Sequence, residues 1–418
     1  MDNFLALNKT DRDEMLEFIS KGTVEELFEQ IPQKARMVNL DLSEALSEMQ
    51  VQKRIKTLAN KNHSDYSYFV GAGVYNKFIP AAVSQIAERF EFLTAYTPYQ
   101  PEISQGTLQI MYEFQSMICK LTGMDISNAS VYDGATAAAE AVIMAKRVSK
   151  KNKVLISDTI NPEYLKVVQT YAWANDIELE MFDKIPENAP DYAGILIQNP
   201  NFYGEIQEIK KPKDTLLIAI IDLSSLAILK TPSEYDADIV VGDIQSLGIP
   251  MSFGGPHAGF MACTEKLMRQ LPGRLAGQTI DKEGNIAYTL TIQTREQHIK
   301  REKATSNICS NQALIALCAT VYLSLLGEKG FKQASYLSCK NAHLLANGLK
   351  NKGIKVLSKD FYNEFLIQVE YADKALARLK EHNIIGGYKI DEKTILVCTT
   401  EMNTQEEIDT YIKVMENK

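Results

Sequence analysis

Three short stretches of this 418-residue chain carry residue types that do chemistry. The first, SVYDGATAAAEAV, sets Asp133-Gly134-Ala135-Thr136 just before an alanine-rich helical run. A glycine turn and a hydroxyl at a helix start offer backbone N–H groups and the positive dipole end to an anion such as phosphate. The same letters also spell an ordinary helix start. The second stretch is LLIAIIDLSS, where Asp222 closes a strongly apolar strand. In open α/β sheets ligands bind at that end. A carboxylate there suits a protonated ring nitrogen of a cofactor and, equally, the cap of the following turn. The third, QTREQHIKREKATSN, gathers Arg295, Lys300, Arg301 and Lys303. Such a cluster receives a carboxylate or phosphate or stays solvated, and Thr305-Ser306-Asn307 should break its helix. No metal is expected. The 6 cysteines form no CxxC pair, and the 5 histidines lie far apart without HExxH spacing.

Bringing Gly134 and Asp222 together requires alternating helices and strands, and from about Thr107 the chain reads that way. Helices are expected over 107–122, 135–150 and 161–175. Short apolar strands are expected at Val154–Ser157, Glu178–Phe182, Gly194–Gln198, Leu216–Ile221, Ile239–Val241 and Gly259–Cys263. This pattern predicts a mostly parallel sheet with helices on both faces. Before it, Thr23 and Glu26 spell a capping box, and apolar residues at helical spacing run from Leu40 to Leu58. Residues 63–106 form aromatic, proline-bearing loops around one helical interval at 81–90. After Lys303 a helix from Asn311 to Leu326 stops at Gly327. A smaller α+β piece follows, with a helix near 334–352, strands near 354–357, 364–369 and 394–398, and a closing helix from Thr404 to Glu416. Three regions result: 1–106 (helices and aromatic loops), 107–330 (the large α/β domain) and 331–418 (the small α+β domain).

Lys plus Arg is 45 against 53 Asp plus Glu, a net charge of −8. That argues against general nucleic-acid binding and against anionic membranes. The start, MDNFLALNKTDRDEML, has no apolar signal core, and no run approaches the roughly 18 apolar residues of a membrane span. Scattered cysteines without such a signal point to a reducing cytoplasm.

Gly134 well upstream of Asp222 is the order found in pyridoxal-phosphate (PLP) enzymes of fold type I. Such an enzyme also needs a lysine after the next strand to hold the cofactor's aldehyde as a Schiff base. No lysine occurs between Lys230 and Lys266. The strand runs instead into Gly242-Asp243-Ile244-Gln245-Ser246, with Gly254-Gly255-Pro256 following. Three long segments then resemble the glycine decarboxylase (P-protein) family of the glycine cleavage system, in the form of its first subunit where the enzyme is split in two. They are FLTAYTPYQPEISQGTLQIMYEFQSMICKLTGMDISNASVYDGATAAAEAV, DADIVVGDIQSLGIPMSFGGPHAGFMA and QTREQHIKREKATSNICSNQALIALCA. The resemblance extends from near residue 10 to at least residue 330.

The resemblance implies the PLP-dependent transferase fold type I with a small C-terminal domain. It also implies a pair of homologous halves, of which only the second carries the lysine; the family's lysine position falls at or near Gln245. PLP is then carried by the partner subunit and not covalently by this chain. In the complete enzyme PLP captures glycine's amino group and stabilises the carbanion left by loss of CO2. The aminomethyl group passes to the lipoyl arm of H-protein, reducing its disulfide. This chain should be inactive alone. Gly134, Ala135, Thr136 and Asp222 become relics of a cofactor site. The Tyr96–Gln105 loop (Tyr96, Thr97, Pro98, Tyr99, Gln100, Ser104, Gln105) is expected to reach the partner's site, with Arg301, Thr305 and Asn307 second. Two other readings stand beside this one. In the first the chain is an inert scaffold or regulatory pseudoenzyme of the same complex. In the second it is an independent PLP enzyme using Lys230 or Lys266, although neither lies on the expected loop.

Overall fold

The computed structural model describes residues 8–36, 41–63 and 65–416, and its contacts divide the chain into two compact units, Met1–Ser64 and Asp65–Lys418. In the first unit, the helix Lys9–Phe18 is capped reciprocally by Asn8 and Asp11, and Glu48–Ala59 by Ser47 and Gln50. Neither helix buries a residue. The second helix starts later than the apolar spacing suggests, because the Ser47/Gln50 cap fixes its beginning. Leu40 lies outside the described residues. Glu26 bonds the Gly22 N–H at 3.1 Å and heads only a short 3-10 turn, Glu25–Phe28, so Thr23 opens no α-helix there.

The second unit is organised by a seven-stranded sheet. Its strands run in the order Ile126–Ser127, Gly259–Cys263, Ile239–Asp243, Leu216–Ile220, Gly194–Gln198, Lys153–Ser157 and Glu178–Phe182. Gly259–Cys263 is antiparallel to both its neighbours; the other pairings are parallel. The register sets Leu155, Ile195 and Leu217 in one row. These residues join one buried cluster with Phe114, Ile118 and Ala316. Their sequence neighbours Val154, Ile156, Leu196 and Ile218 join another, with the alanines of 137–145. Both faces are therefore covered, which is why these strands read as unbroken apolar runs rather than alternating ones. Gln105–Thr122 and the first half of Ala313–Asn351 cover one face; Gly134–Ser149 and Pro162–Ala174 cover the other.

Helix Ala313–Asn351 bends at Gly327, whose φ of 57° and ψ of −174° leave the helical region. Among the described residues it is the one helix long and apolar enough to cross a membrane by length and composition. Its apolar side packs instead into two cores: Ala316 and Ala319 against the large sheet, Ala342, Leu345 and Leu349 in the small domain. The small domain is an antiparallel sheet in the order Lys355–Val356, Glu364–Gln368, Thr394–Cys398 and Tyr388–Lys389, backed by Ala372–Glu381 and Gln405–Glu416. Ser67–Tyr68 pairs in parallel with Ile384–Ile385, which brings the fully buried Phe69 into this core. The hairpin Leu275–Ile280/Ile286–Thr291 and the helix Ala372–Glu381 add to the elements expected from the sequence.

Candidate functional site

The carboxyl ends of the central strands converge on one cleft. Asp222 follows Leu216–Ile220, Asp243 ends Ile239–Asp243, Gln198 ends Gly194–Gln198, and Asn161 and Tyr164 come from the start of the next helix. Gly134 opens its helix beside them. The chain's own side chains bond to this helix start. The Gly134 N–H donates to Asp243 Oδ2 at 3.2 Å, and the Thr136 N–H donates to Asp133 Oδ1 at 2.7 Å. Asp243 Oδ1 accepts the Gln245 N–H at 2.8 Å, while His257 Nδ1 stands 3.4 Å from Oδ2. That carboxylate raises the His257 pKa above its usual value. A Cβ at Gly134 would come within 2.1 Å of the Tyr164 hydroxyl and 2.7 Å of the Asp243 backbone nitrogen, so only glycine fits beneath the phenol. Ala135 contributes helix backbone alone.

Asp222 is equally engaged. Its Oδ1 accepts the Ser246 hydroxyl at 2.7 Å and the Ser224 N–H at 3.1 Å, and Oδ2 accepts the Ser224 hydroxyl. Gln245, 1% exposed, holds both backbone polar groups of Tyr75. Its Oε1 accepts the Tyr75 N–H at 2.8 Å, and its amide donates to Tyr75 O at 2.9 Å and to Ile249 O at 2.8 Å. The Tyr75 hydroxyl donates to Glu364 Oε2 at 2.8 Å and the Ala72 N–H to Oε1 at 2.7 Å. Burial lifts Glu364 to about 7. Nearby, buried Lys77 pairs with Glu401 at 3.1 Å.

About 40 Å3 of open volume remains between these residues, against the roughly 300–1,000 Å3 of a cofactor-sized pocket. The residues present therefore do not fit PLP. Asp243 bonds the head of the Gly134 helix, Asp222 is spent on serines, and Gln245 is a buried amide with three hydrogen bonds. A larger open groove of about 660 Å3, lined by Lys151, Tyr192, Lys211 and Asp238, lies at the opposite, amino ends of the strands. Lys211 is tied there to Asp238 at 2.7 Å.

The second group of expected residues lies elsewhere. Tyr96 is 92% exposed, Tyr99 45% exposed, and Gln100 is at the surface as the residue before the turn Pro101–Ile103. Ser104 precedes Gln105–Thr122 without a side-chain cap bond. Gln105 fixes that helix to the hairpin, accepting the Tyr288 N–H at 2.8 Å and donating to Tyr288 O at 2.9 Å. Arg301 is exposed with a φ of 51°, Asn307 is exposed, and the Thr305 carbonyl accepts from Arg147 at 2.7 Å. The structure thus brings Tyr99 beside the 296–311 stretch, through His298 and the buried Arg274, while Arg301 and Asn307 remain at the surface. Arg274, Glu296, Tyr164 and Glu364 escape sequence reasoning. Arg274, Tyr164 and Glu364 meet partners from distant segments, Glu296 meets Arg274 as well as its near neighbour His298, and no local motif marks any of them.

Comparison with known proteins adds to this geometry. A family model described as glycine cleavage system P-protein matches residues 2–415. A relative from Geobacillus thermodenitrificans, named probable glycine dehydrogenase (decarboxylating) subunit 1, is 44% identical, covering 99% of this chain and 98% of its own. A crystal structure of glycine decarboxylase (P-protein) of the glycine cleavage system, in inhibitor-bound form, superposes with a TM-score of 0.92 at 37% identity and covers 99% of both chains. A mutant of C-DES with glycine covalently linked to the PLP cofactor has a TM-score of 0.61 at 12% identity over 85% of this chain and 97% of that one. The fold is that of PLP-dependent enzymes of fold type I.

Proposed function

The chain belongs to the glycine cleavage system P-protein family, and from that premise we propose that it is the subunit of glycine decarboxylase that does not carry PLP. A homologous lysine-bearing subunit supplies the cofactor. Together the pair decarboxylates glycine and passes the aminomethyl group to the lipoyl arm of H-protein. One observation carries the reading. The cleft at the carboxyl ends of the strands is filled: Asp243 accepts the Gly134 N–H, and Gln245, at or near the lysine position that the family resemblance implies, is locked by three hydrogen bonds. A buried amide so bonded has no nucleophile to offer, and replacing it would orphan both backbone groups of Tyr75.

Relatives named as a subunit 1 support a partner. Its docking face is supported by the exposed apolar side chains Phe90, Leu93, Tyr96 and Ile103, which are 72%, 56%, 92% and 81% exposed. Large apolar groups grouped on a surface mark association. We assign the Tyr96–Ser104 loop to the edge of the partner's active site, where two subunits of this fold class meet. We assign Arg301, Thr305 and Asn307 a secondary part in that contact. Gly134, Ala135, Thr136 and Asp222 are relics of the cofactor site.

PLP absorbance together with glycine-dependent bicarbonate exchange tests this reading, measured for this chain, for its lysine-bearing partner, and for the mixture. The expected result is no bound PLP and no exchange from this chain alone, with exchange in the mixture above that of the partner. PLP bound by this chain overturns the assignment. A partner equally active without it leaves the chain as a scaffold.

A further inference from the structure

We propose that Arg274 is a positioning residue for the assembled enzyme: its guanidinium ties the Tyr99 loop to the 296–311 stretch, so that both meet the partner as one surface. The role in the reaction rests on the function proposed above, whereas the tie itself stands on this chain alone.

Arg274 is 4% exposed and immediately precedes Leu275–Ile280. Its fork bridges two segments. Nη1 donates to Asn311 Oδ1 at 3.3 Å, and Nη2 donates to Cys309 O at 3.1 Å and to the Tyr99 hydroxyl at 3.4 Å. The guanidinium carbon also lies 5.4 Å from the centre of the Tyr99 ring, a cation–π distance. His298 also stands against this ring, at 5.4 Å between centroids, and lies 3.5 Å from Glu296 Oε2. Tyr99 is therefore in contact with both a buried cation and an imidazole of the 296–311 stretch.

A buried arginine that served packing alone would close on its nearest carboxylate. Here that carboxylate is Glu296, also buried, yet Arg274 Nε remains 4.0 Å from it. Neither Glu296 oxygen, nor Arg274 Nε, has a hydrogen-bond partner among the described residues. The strongest donors are turned toward Tyr99 and the 309–311 segment while a buried ion pair goes incompletely made. Unmet polar groups of this kind concentrate where a fold serves function at the expense of local stability.

The stretch itself is held in an unfavourable shape. Ile292, a β-branched residue, has a φ of 52°. Buried Arg295 secures that turn by donating to Ile292 O at 3.1 Å and Gly273 O at 2.9 Å. Arg147 pins Thr305 O from the cradle helix. Of these three arginines, Arg274 is the one that reaches across to the Tyr99 loop. Lysine could not replace it, since one ammonium lacks the planar fork that spans Asn311, Cys309 and Tyr99 at once.

Two measurements test the proposal on Arg274→Gln, Arg274→Lys and Tyr99→Phe. Hydrogen exchange on the chain alone is expected to speed up about tenfold for Arg274→Gln in peptides covering both 96–104 and 296–311, and less for Tyr99→Phe. In the complex with its partner, sedimentation should show assembly intact. The kcat for bicarbonate exchange should fall about tenfold, and Arg274→Lys should not restore it. Unchanged exchange over 96–104 overturns the tie. Faster exchange with wild-type kcat and KM overturns the positioning role. A wild-type mixture no more active than the partner alone overturns the proposed function, and the positioning role with it, while hydrogen exchange still decides the tie. Should Arg274→Gln fail to fold, Tyr99→Phe, which removes a single hydroxyl, is read by the same criteria.

Discussion

The cleft around Asp243 and the surface around Tyr99 are both assembled from residues far apart in sequence, and they treat their polar groups in opposite ways. In the cleft, Asp243, Gln245 and Asp222 are each bound by two or more donors or acceptors from the same chain. Around Tyr99, both oxygens of Glu296 lack a hydrogen-bond partner among the described residues, Tyr96 projects into solvent, and Tyr99 is half covered. Those three side chains have little left with which to recognise a ligand, although His257 Nε2 beside Asp243 also lacks a partner among the described residues, whereas the carboxylate of Glu296 keeps both oxygens unbonded. The difference supports the proposal that the working surface lies outside the cleft that the fold class would nominate.

The hardest way to break the comparison is Gln245→Lys. If the cleft were a dormant cofactor site, a lysine there would suffice to bind PLP and give the visible band of the bound cofactor. The expected outcome is no band, together with a loss of about 3–5 kcal/mol in denaturant unfolding, because an unpaired charge enters a buried amide's place and Tyr75 loses its backbone partners. On the other side of the comparison, Tyr96→Ala with Tyr99→Ala should cut bicarbonate exchange in the complex about a hundredfold, or about 2.7 kcal/mol, while this chain still folds with a cooperative melt. Unchanged activity would sink the assignment of the loop.

A smaller effect should come from pH. Burial raises Glu364 from an ordinary 4.5 to about 7, with the Tyr75 hydroxyl, the Ala72 N–H, Asp222 and the Cys398 thiol facing it. The folded chain then keeps a proton that the unfolded chain releases. The stabilisation is complete below about pH 4.5 and is lost as pH rises through about 7, amounting to about 3 kcal/mol. Thermal melts at several pH values should show this slope in the wild type and a flatter one in Glu364→Gln. The smallest change expected is from Gly134→Ala. The added methyl displaces the Tyr164 phenol and loosens the Asp243 contact, for a loss of about 1–2 kcal/mol by calorimetry. A melting temperature equal to wild type would mean the cradle is looser than its distances indicate.

The parallel strands are legible because a sheet covered on both faces needs apolar residues at every position, and runs such as LLIAI leave little choice. Helix starts at Gly134 and Pro162 are legible from their Asp133 and Asn161 caps. The hairpin 275–291 is not: Gln278, Thr279 and Thr289 are polar and partly exposed, so no strand periodicity survives. In the cleft, the missing lysine shows at once, since absence of a residue type is a local property. What fills the space does not show. Asp243 meets Gly134 across 109 residues, and Tyr75 meets Glu364 across 289. Tyr99 stands out in the sequence, but the arginine gripping it lies 175 residues away.

The carboxylate lodged at the head of the 134–149 helix bears also on how the chain behaves in a mixture of phosphate esters. A helix mouth left open would bind such anions indiscriminately. Asp243 acts there as a competitor tethered by the fold, present at an effective concentration that free metabolites do not reach. A phosphate ester arriving at this cleft has to displace a group that the chain itself already holds there.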